Sequence, residues 1–338
     1  MFKAIYRIKK TGSILIMVLM TVALIFFIGG CGAAGGDDNN DPEYGEAAET
    51  STPEQPIVDE LPAIPSLEEA ETDLVGSTEK QADTVFSITG DGVETPLYFS
   101  LEDLKRLEEY ADGKGAYVEQ TFSMVNNWPT KKFVVAKGAN INVLLSMAGL
   151  KQDAGIFHIE TAENYYAIVT REQLLGKRFC YPNIMEERSR GAIRVEPMVA
   201  WAWEIETVDT SKAKEADLRF FMGQLGMGDP NAVPSVQNVV SIKALMKSAE
   251  KWSPPAAVIQ EGTVTFSHEA LDQVKLHYTI DGVRPNHNSP VYNPSATYLQ
   301  PELILPIKIK GNGKVKVLAI GYGKENSDIV EYNYSLTE

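Results

Sequence analysis

Two stretches of the chain carry residue types that often line ligand pockets. Amide side chains donate and accept hydrogen bonds, guanidinium groups bind carboxylates and phosphates, and indole rings offer apolar contact area. The candidates are Asn126, Asn127, Trp128, Trp201, Trp203, Arg188 and Arg190. Core packing of the aromatic residues and a solvated basic loop explain the same residues without a ligand, so both interpretations remain open.

No catalytic motif accompanies these candidates. The histidines His158, His268, His277 and His287 are scattered and form no HExxH pair. The sequence has no GxSxG turn, no P-loop and no GxGxxG motif after a predicted strand. Residues 223–228 order their glycines as GxxGxG, which we interpret as a loop. The residues alone therefore favour a non-enzymatic function without deciding the question, and no catalytic residue is assigned.

The N-terminus has the three parts of an export signal. Lys3, Arg7, Lys9 and Lys10 precede an uncharged apolar stretch, residues 13–28. The stretch ends in Ile28-Gly29-Gly30-Cys31, which resembles the lipobox of bacterial lipoproteins. This resemblance implies cleavage before Cys31 and its modification with a diacylglycerol whose acyl chains include palmitate. The alternative is an uncleaved membrane helix. Both place the rest of the chain outside the cytoplasm, at the cell surface or in the periplasm.

The negative charge of the chain is concentrated in one segment. The 338 residues carry a formal charge of −15, yet residues 32–79 contain fourteen acidic and no basic residues. This acidic segment is rich in Gly, Pro and Ala and buries too little apolar surface to fold, so we expect a disordered tether. The remaining sequence has no basic stripe, which argues against nucleic acid as a partner. The membrane, reached through the lipid, is the expected partner.

Residues 81–248 are predicted to form an α+β unit. The segment 85–90 alternates like a strand, and 157–161 with 165–169 reads as a hairpin. Three short helices are predicted from their caps, over 101–107, 142–148 and 171–175. Cys180 lies between aromatic residues and is predicted to be a buried thiol. The predicted organisation is a signal peptide (1–30), the lipidated Cys31 with a linker (31–80), this unit (81–248) and a final unit (253–338).

Residues 253–338 show no helical period and are predicted to form an antiparallel β-sandwich. Strands are expected at 274–280, 304–309, 314–320 and 329–334, with turns at Asp281-Gly282 and at 311–313. The segments Tyr278–Pro285, Ser289–Tyr292 and Lys314–Ala319, with Ser327, resemble the C-terminal module of chitobiase and β-hexosaminidase. That module is an immunoglobulin-like sandwich. The resemblance implies an accessory role, as a spacer or a surface-binding unit.

The first unit resembles the molybdopterin-binding domain of the sulfite oxidase family. The resemblance rests on Ile88–Pro96, Leu101–Leu104, Gly138–Gly149, Leu218–Phe220 and Gly226–Asp229. In that family a cysteine thiolate on a strand binds molybdenum, and the segment Phe122–Trp128 aligns Met124 with this cysteine. A neutral thioether is a poor ligand for a high-valent oxo-metal. By residue type, Arg188, Arg190 and Arg194 are candidates for the phosphate of the cofactor.

These observations favour a lipoprotein whose molybdopterin-type fold lost its metal ligand and binds a ligand or partner. Possible partners are a cell-wall polymer, a small molecule or an envelope protein. One alternative is an oxidoreductase that holds molybdopterin with atypical coordination. The other is a purely structural envelope protein. The predicted pocket comprises Met124, Asn126, Asn127, Trp128, Arg188 and Arg190, with no metal ligand among them and no cofactor expected.

Overall fold

A computed structural model describes residues 75–110, 115–295, 302 and 304–336. The predicted signal peptide, Cys31 and most of the acidic linker lie outside these residues. The described part of the chain is mostly β-structure. Its helices are too short to cross a membrane.

The first sheet has five strands in the order β2-β1-β11-β5-β6. They are β1 (Phe86–Thr89), β2 (Leu97–Phe99), β5 (Ile156–Thr161), β6 (Tyr166–Thr170) and β11 (Val239–Leu245). Strands β1 and β11 pair in parallel and the other neighbours pair antiparallel. The predicted strand at 85–90 and the predicted hairpin are confirmed. Both could be predicted because the alternation of buried and exposed residues is a local signal.

The second sheet has four antiparallel strands in the order β10-β9-β4-β3. They are β3 (Tyr117–Val125), β4 (Lys131–Asn140), β9 (Met198–Ile205) and β10 (Lys214–Phe221). A small hairpin of β7 (Arg178–Cys180) and β8 (Ile193–Val195) contributes Cys180 and Val195 to the apolar cluster on one face of this sheet. Residues on the other face, including Val199 and Trp201, join the main core with the five-stranded sheet.

Three short helices connect these strands: α1 (Leu101–Arg106), α2 (Ile141–Met147) and α3 (Arg171–Leu175). Ser100 forms a capping box with Asp103, and Thr170 forms one with Gln173. The three predicted helices are thus confirmed, with bounds shifted by a residue or so. The predicted α+β class, however, overstated the helical content, because the helices are short and the unit consists mainly of its two sheets.

The C-terminal unit has two three-stranded sheets. One contains β12 (Ala256–Gln260), β13 (Thr263–Ser267) and β15 (Ile307–Lys308), and the other contains β14 (Val274–Thr279), β16 (Asn312–Gly321) and β17 (Val330–Ser335). The predicted strand 304–309 is paired only over β15, which contacts β13 at two positions. The predicted turn at 311–313 bends at Gly311 alone, because Asn312 and Gly313 already pair with β17. The two sheets share one apolar core.

Candidate functional site

The hairpin that joins β3 to β4 carries three of the predicted pocket residues at its tip. The side-chain oxygen of Asn126 accepts hydrogen bonds from the backbone N–H groups of Trp128 at 2.9 Å and Thr130 at 3.0 Å. The carbonyl oxygen of Asn127 accepts one from the Lys275 ammonium at 3.3 Å. The backbone of the tip is thus held at both amide residues. Binding through this tip would cost little ordering entropy.

The arginine-rich loop lies beside this tip. Lys131, at the start of β4, forms an ion pair of 2.8 Å with Glu187. Arg188 and Arg190 follow in the same loop, are exposed, and form no ion pair with any described residue. The Trp128 side chain is 46% exposed. We call Trp128, Arg188 and Arg190 the tip surface.

Met124 does not lie on the tip surface. Its side chain is fully buried (0% exposed), on the face of the four-stranded sheet that packs against the β7–β8 hairpin. The rings of Phe122 and Phe221 stack in the same cluster, with centroids 5.5 Å apart. The full set of buried members is Phe122, Met124, Val134, Ala136, Cys180, Val195, Met198, Ala200 and Phe221. The thioether is thus part of an apolar core.

Cys180 lies in the same cluster as Met124, although more than fifty residues separate them in sequence. The predicted burial of this thiol is confirmed. Burial raises the pKa of Cys180, which keeps the thiol protonated, whereas a metal ligand must be a thiolate. A buried thioether and a protonated thiol do not fit the coordination that the sulfite oxidase family uses. Within the described ranges, no three His, Cys, Asp or Glu side chains are grouped to hold a metal ion.

Comparisons with known proteins identify one region of the chain. Residues 264–334 match the Fn3-associated family. No curated protein matches the chain. Among solved structures, the chain is similar to the sulfane dehydrogenase SoxCD from Paracoccus pantotrophus, at 13% identity over 86% of this chain and 93% of that chain, with a TM-score of 0.30. A TM-score of this size does not establish a shared fold, so the molybdopterin-type fold stays a prediction. The likeness to the chitobiase module stays one as well.

The Fn3-associated region contributes to a buried polar network that the sequence did not reveal. The Asp229 carboxylate pairs with the buried Arg178 guanidinium at 3.1 Å and accepts a hydrogen bond from the Tyr322 hydroxyl at 2.7 Å. It also accepts one from the backbone N–H of Leu225 at 2.9 Å. Gln173 donates to the carbonyl oxygens of residues 321 and 324 at 2.8 and 2.9 Å. These bonds join the first unit to the Fn3-associated region.

A cavity of about 10 Å³ lies within this network. Such a volume holds about one water molecule, so the cavity is no ligand pocket. Burial lowers the pKa of Lys275 to about 8 and that of His277 to about 3. The ring Nδ1–H of His277 donates a hydrogen bond to the carbonyl oxygen of Ser289 at 3.0 Å. The network therefore has a structural role.

No sequence signal could have located this network. Arg178 and Asp229 are 51 residues apart, and Tyr322 lies 93 residues beyond Asp229. Arginine and aspartate are ordinary surface residue types and tyrosine is intermediate, and charged residues are seldom fully buried unless paired. Only the fold shows that they meet.

Proposed function

We propose that this chain is a lipid-anchored binding protein that contacts an anionic polymer of the cell envelope through its tip surface. The observation that carries the proposal is the half-exposed Trp128 on a hydrogen-bonded turn, next to the arginine-rich loop that the Lys131–Glu187 ion pair joins to it. Tryptophan and arginine are the residue types most enriched at energetically dominant contacts. The guanidinium groups suit acidic groups of a polymer, and the indole ring suits its apolar surfaces.

The lipid on Cys31 and the acidic tether would place this surface in the envelope. The tether carries like charges that extend it, which gives the folded part reach away from the membrane. Its acidic residues would also keep it off an anionic polymer, so that contact falls to the tip surface. A small molecule or an envelope protein is an alternative partner for the same surface.

Binding to purified cell walls tests the proposal. We expect the protein to sediment with walls that retain their anionic polymers and to bind at least tenfold more weakly to stripped walls. Trp128→Ala, and separately Arg188→Ala with Arg190→Ala, should each weaken binding about tenfold, equivalent to about 1.4 kcal/mol. Tyr165→Ala is the matched control, because Tyr165 is another exposed aromatic residue (56%) away from the tip. Equal binding by all variants would contradict the assignment of the tip surface.

The competing function is a molybdopterin-dependent oxidoreductase. Because Met124 and Cys180 do not fit that coordination, we derive no reaction from it. Elemental analysis for molybdenum and tungsten, on protein from a host that exports cofactor-loaded proteins, separates the two functions. A metal-to-protein ratio near one would refute the proposed function. A ratio near zero in folded protein is the result we expect.

A further inference from the structure

Arg219, on β10, is held against two aromatic rings. The central carbon of its guanidinium lies 4.9 Å from the ring centroid of Trp203 and 5.0 Å from that of Phe221. The two rings are themselves edge to face, with centroids 6.2 Å apart. A guanidinium over two rings gains cation–π attraction and loses much of its freedom to turn. The group is therefore positioned before any ligand arrives.

This guanidinium has no anionic partner in the described part of the chain. Arg219 Nε is buried and makes no hydrogen bond with any described residue. None of the ion pairs formed by described residues includes Arg219, although the side chain is half-buried. A buried donor that lacks a partner destabilises the folded state, and a charged donor does so more strongly. Native proteins rarely leave such a group unsatisfied unless water or an ion completes the site.

A second unpaired cation is close by. Lys132 makes no ion pair or side-chain hydrogen bond with a described residue and is half-buried as well. Its pKa is lowered first by burial and then by the charge of Arg219, and the charge of Glu206 opposes this shift. Two cations that repel each other in a partly buried place, with one exposed carboxylate nearby, leave net positive charge there.

The strand register places both cations on the sheet face that carries Met124. Lys132 lies opposite Met124 across β3 and β4. Arg219 lies opposite Ala200 across β10 and β9, and Ala200 belongs to the same apolar cluster as Met124. Most of that face is buried in the apolar cluster with β7 and β8. Lys132 and Trp203 are only half-buried, so this end of the face is open to solvent.

We propose that Lys132 and Arg219 form a binding site for the phosphate group of a small ligand, with Trp203 contacting the rest of that ligand. A guanidinium offers paired N–H donors to two oxygens of a phosphate, and an ammonium adds a compact charge. Binding would give Arg219 and Lys132 an ion-pair partner, which no described residue provides. This site is separate from the tip surface, and its residues differ from those of the proposed function.

The test uses the full chain in detergent and inorganic phosphate as the probe. We expect phosphate to raise the thermal unfolding temperature saturably, above the effect of sodium chloride at equal ionic strength. Lys132→Met and Arg219→Gln should each weaken phosphate binding at least tenfold. Arg219→Lys keeps the positive charge but loses the paired N–H donors. Its affinity for phosphate should therefore lie between that of the unmodified protein and that of Arg219→Gln. Acetate should bind more weakly than phosphate.

The matched control is Lys137→Met, on the same strand. Lys137 is already paired with Glu119 at 3.2 Å, so its loss should leave phosphate binding unchanged. The absence of saturable binding would overturn the proposal, and so would equal loss in Lys132→Met and Lys137→Met. Equal affinity for acetate would overturn the choice of phosphate. If Arg219→Gln does not fold, Lys132→Met decides. The tip-surface variants should bind phosphate like the unmodified protein, which separates this test from that of the proposed function.

Discussion

His277 combines a titratable ring with nearly complete burial. Its side chain lies on β14, where Lys275 and the ring of His287 are its titratable neighbours and the carbonyl oxygen of Ser289 is its hydrogen-bond partner. Burial first, and then the charge of His287, lower the pKa of His277 to about 3. The imidazole therefore stays neutral in the folded protein across the physiological range.

The low pKa of His277 makes folding sensitive to acid. Between pH 6.5 and 3 the unfolded chain binds a proton at this ring and the folded chain does not, so stability falls as the pH falls. For His277 alone, the loss between pH 7.5 and 5 is about 2 kcal/mol. Urea unfolding at both pH values should show this loss for the unmodified protein and a smaller one for His277→Phe. The control variant is His268→Gln. If His277→Phe lost as much stability between the two pH values as the unmodified protein, the prediction would be contradicted.

At the same scale, Met124 shows the limit of a resemblance. The resemblance predicted that Met124 would occupy the place of a metal-binding cysteine, and its chemistry followed from its type. Its full burial and its contact with the cluster of Cys180 depend on β7 and β8, which lie far away in sequence. The structure therefore brings together only part of the predicted pocket. The tip of the β3–β4 hairpin lies beside the arginine-rich loop, whereas Met124 is buried beneath the surface.

At the scale of elements, the loop 223–229 is shaped by its close approach to the Fn3-associated region. A Cβ atom on Gly226 would lie 2.3 Å from the carbonyl oxygen of His287. Gly228, in the same loop, is unconstrained, since its nearest contact would be Val291 at 3.9 Å. Only a glycine at 226 lets the loop and this carbonyl meet. The buried pair of Arg178 and Asp229 depends on that loop.

Gly226→Ala should therefore loosen the junction between the two folded units. We expect a loss of about 2 kcal/mol, in the range of overpacked cores, and a broader thermal transition or two separate ones in place of one. Calorimetry of the unmodified protein, Gly226→Ala and Gly228→Ala measures this. A Gly228→Ala protein that unfolds like the unmodified one is the required control. Indistinguishable transitions for Gly226→Ala would show that the loop does not couple the units.

A helix or strand can be predicted from the sequence when the interactions that form it join residues close together in the chain. Helices α1 and α3 were predictable because Ser100 and Thr170 cap them through residues three positions away. The strand expected at 304–309 is paired at only two positions, because a strand needs a neighbour and β13 offers no more. The local pattern contains no information about where that neighbour ends.

At the scale of the whole molecule, the lipid would decide where the protein acts. Cys31 lies outside the described residues, so its modification rests on the sequence before it. Labelled palmitate should be incorporated into the protein and lost in Cys31→Ser, with the variant leaving the membrane fraction or retaining its signal peptide. Cys180→Ser is the matched control, since its thiol is buried. Palmitate retained in Cys31→Ser would contradict the lipoprotein assignment.

The amino-acid sequence by itself determined the acidic segment, the capped helices and the alternating strands, and it predicted an export signal. Each depends on residues a few positions apart, where propensity and periodicity act. Only the tertiary structure decided that Arg178, Asp229 and Tyr322 meet, that Met124 is buried, and that Lys132 and Arg219 lie on one open sheet face. These pairings join distant segments. They depend on which strands become neighbours and on what each face then excludes from water, and no local pattern encodes that.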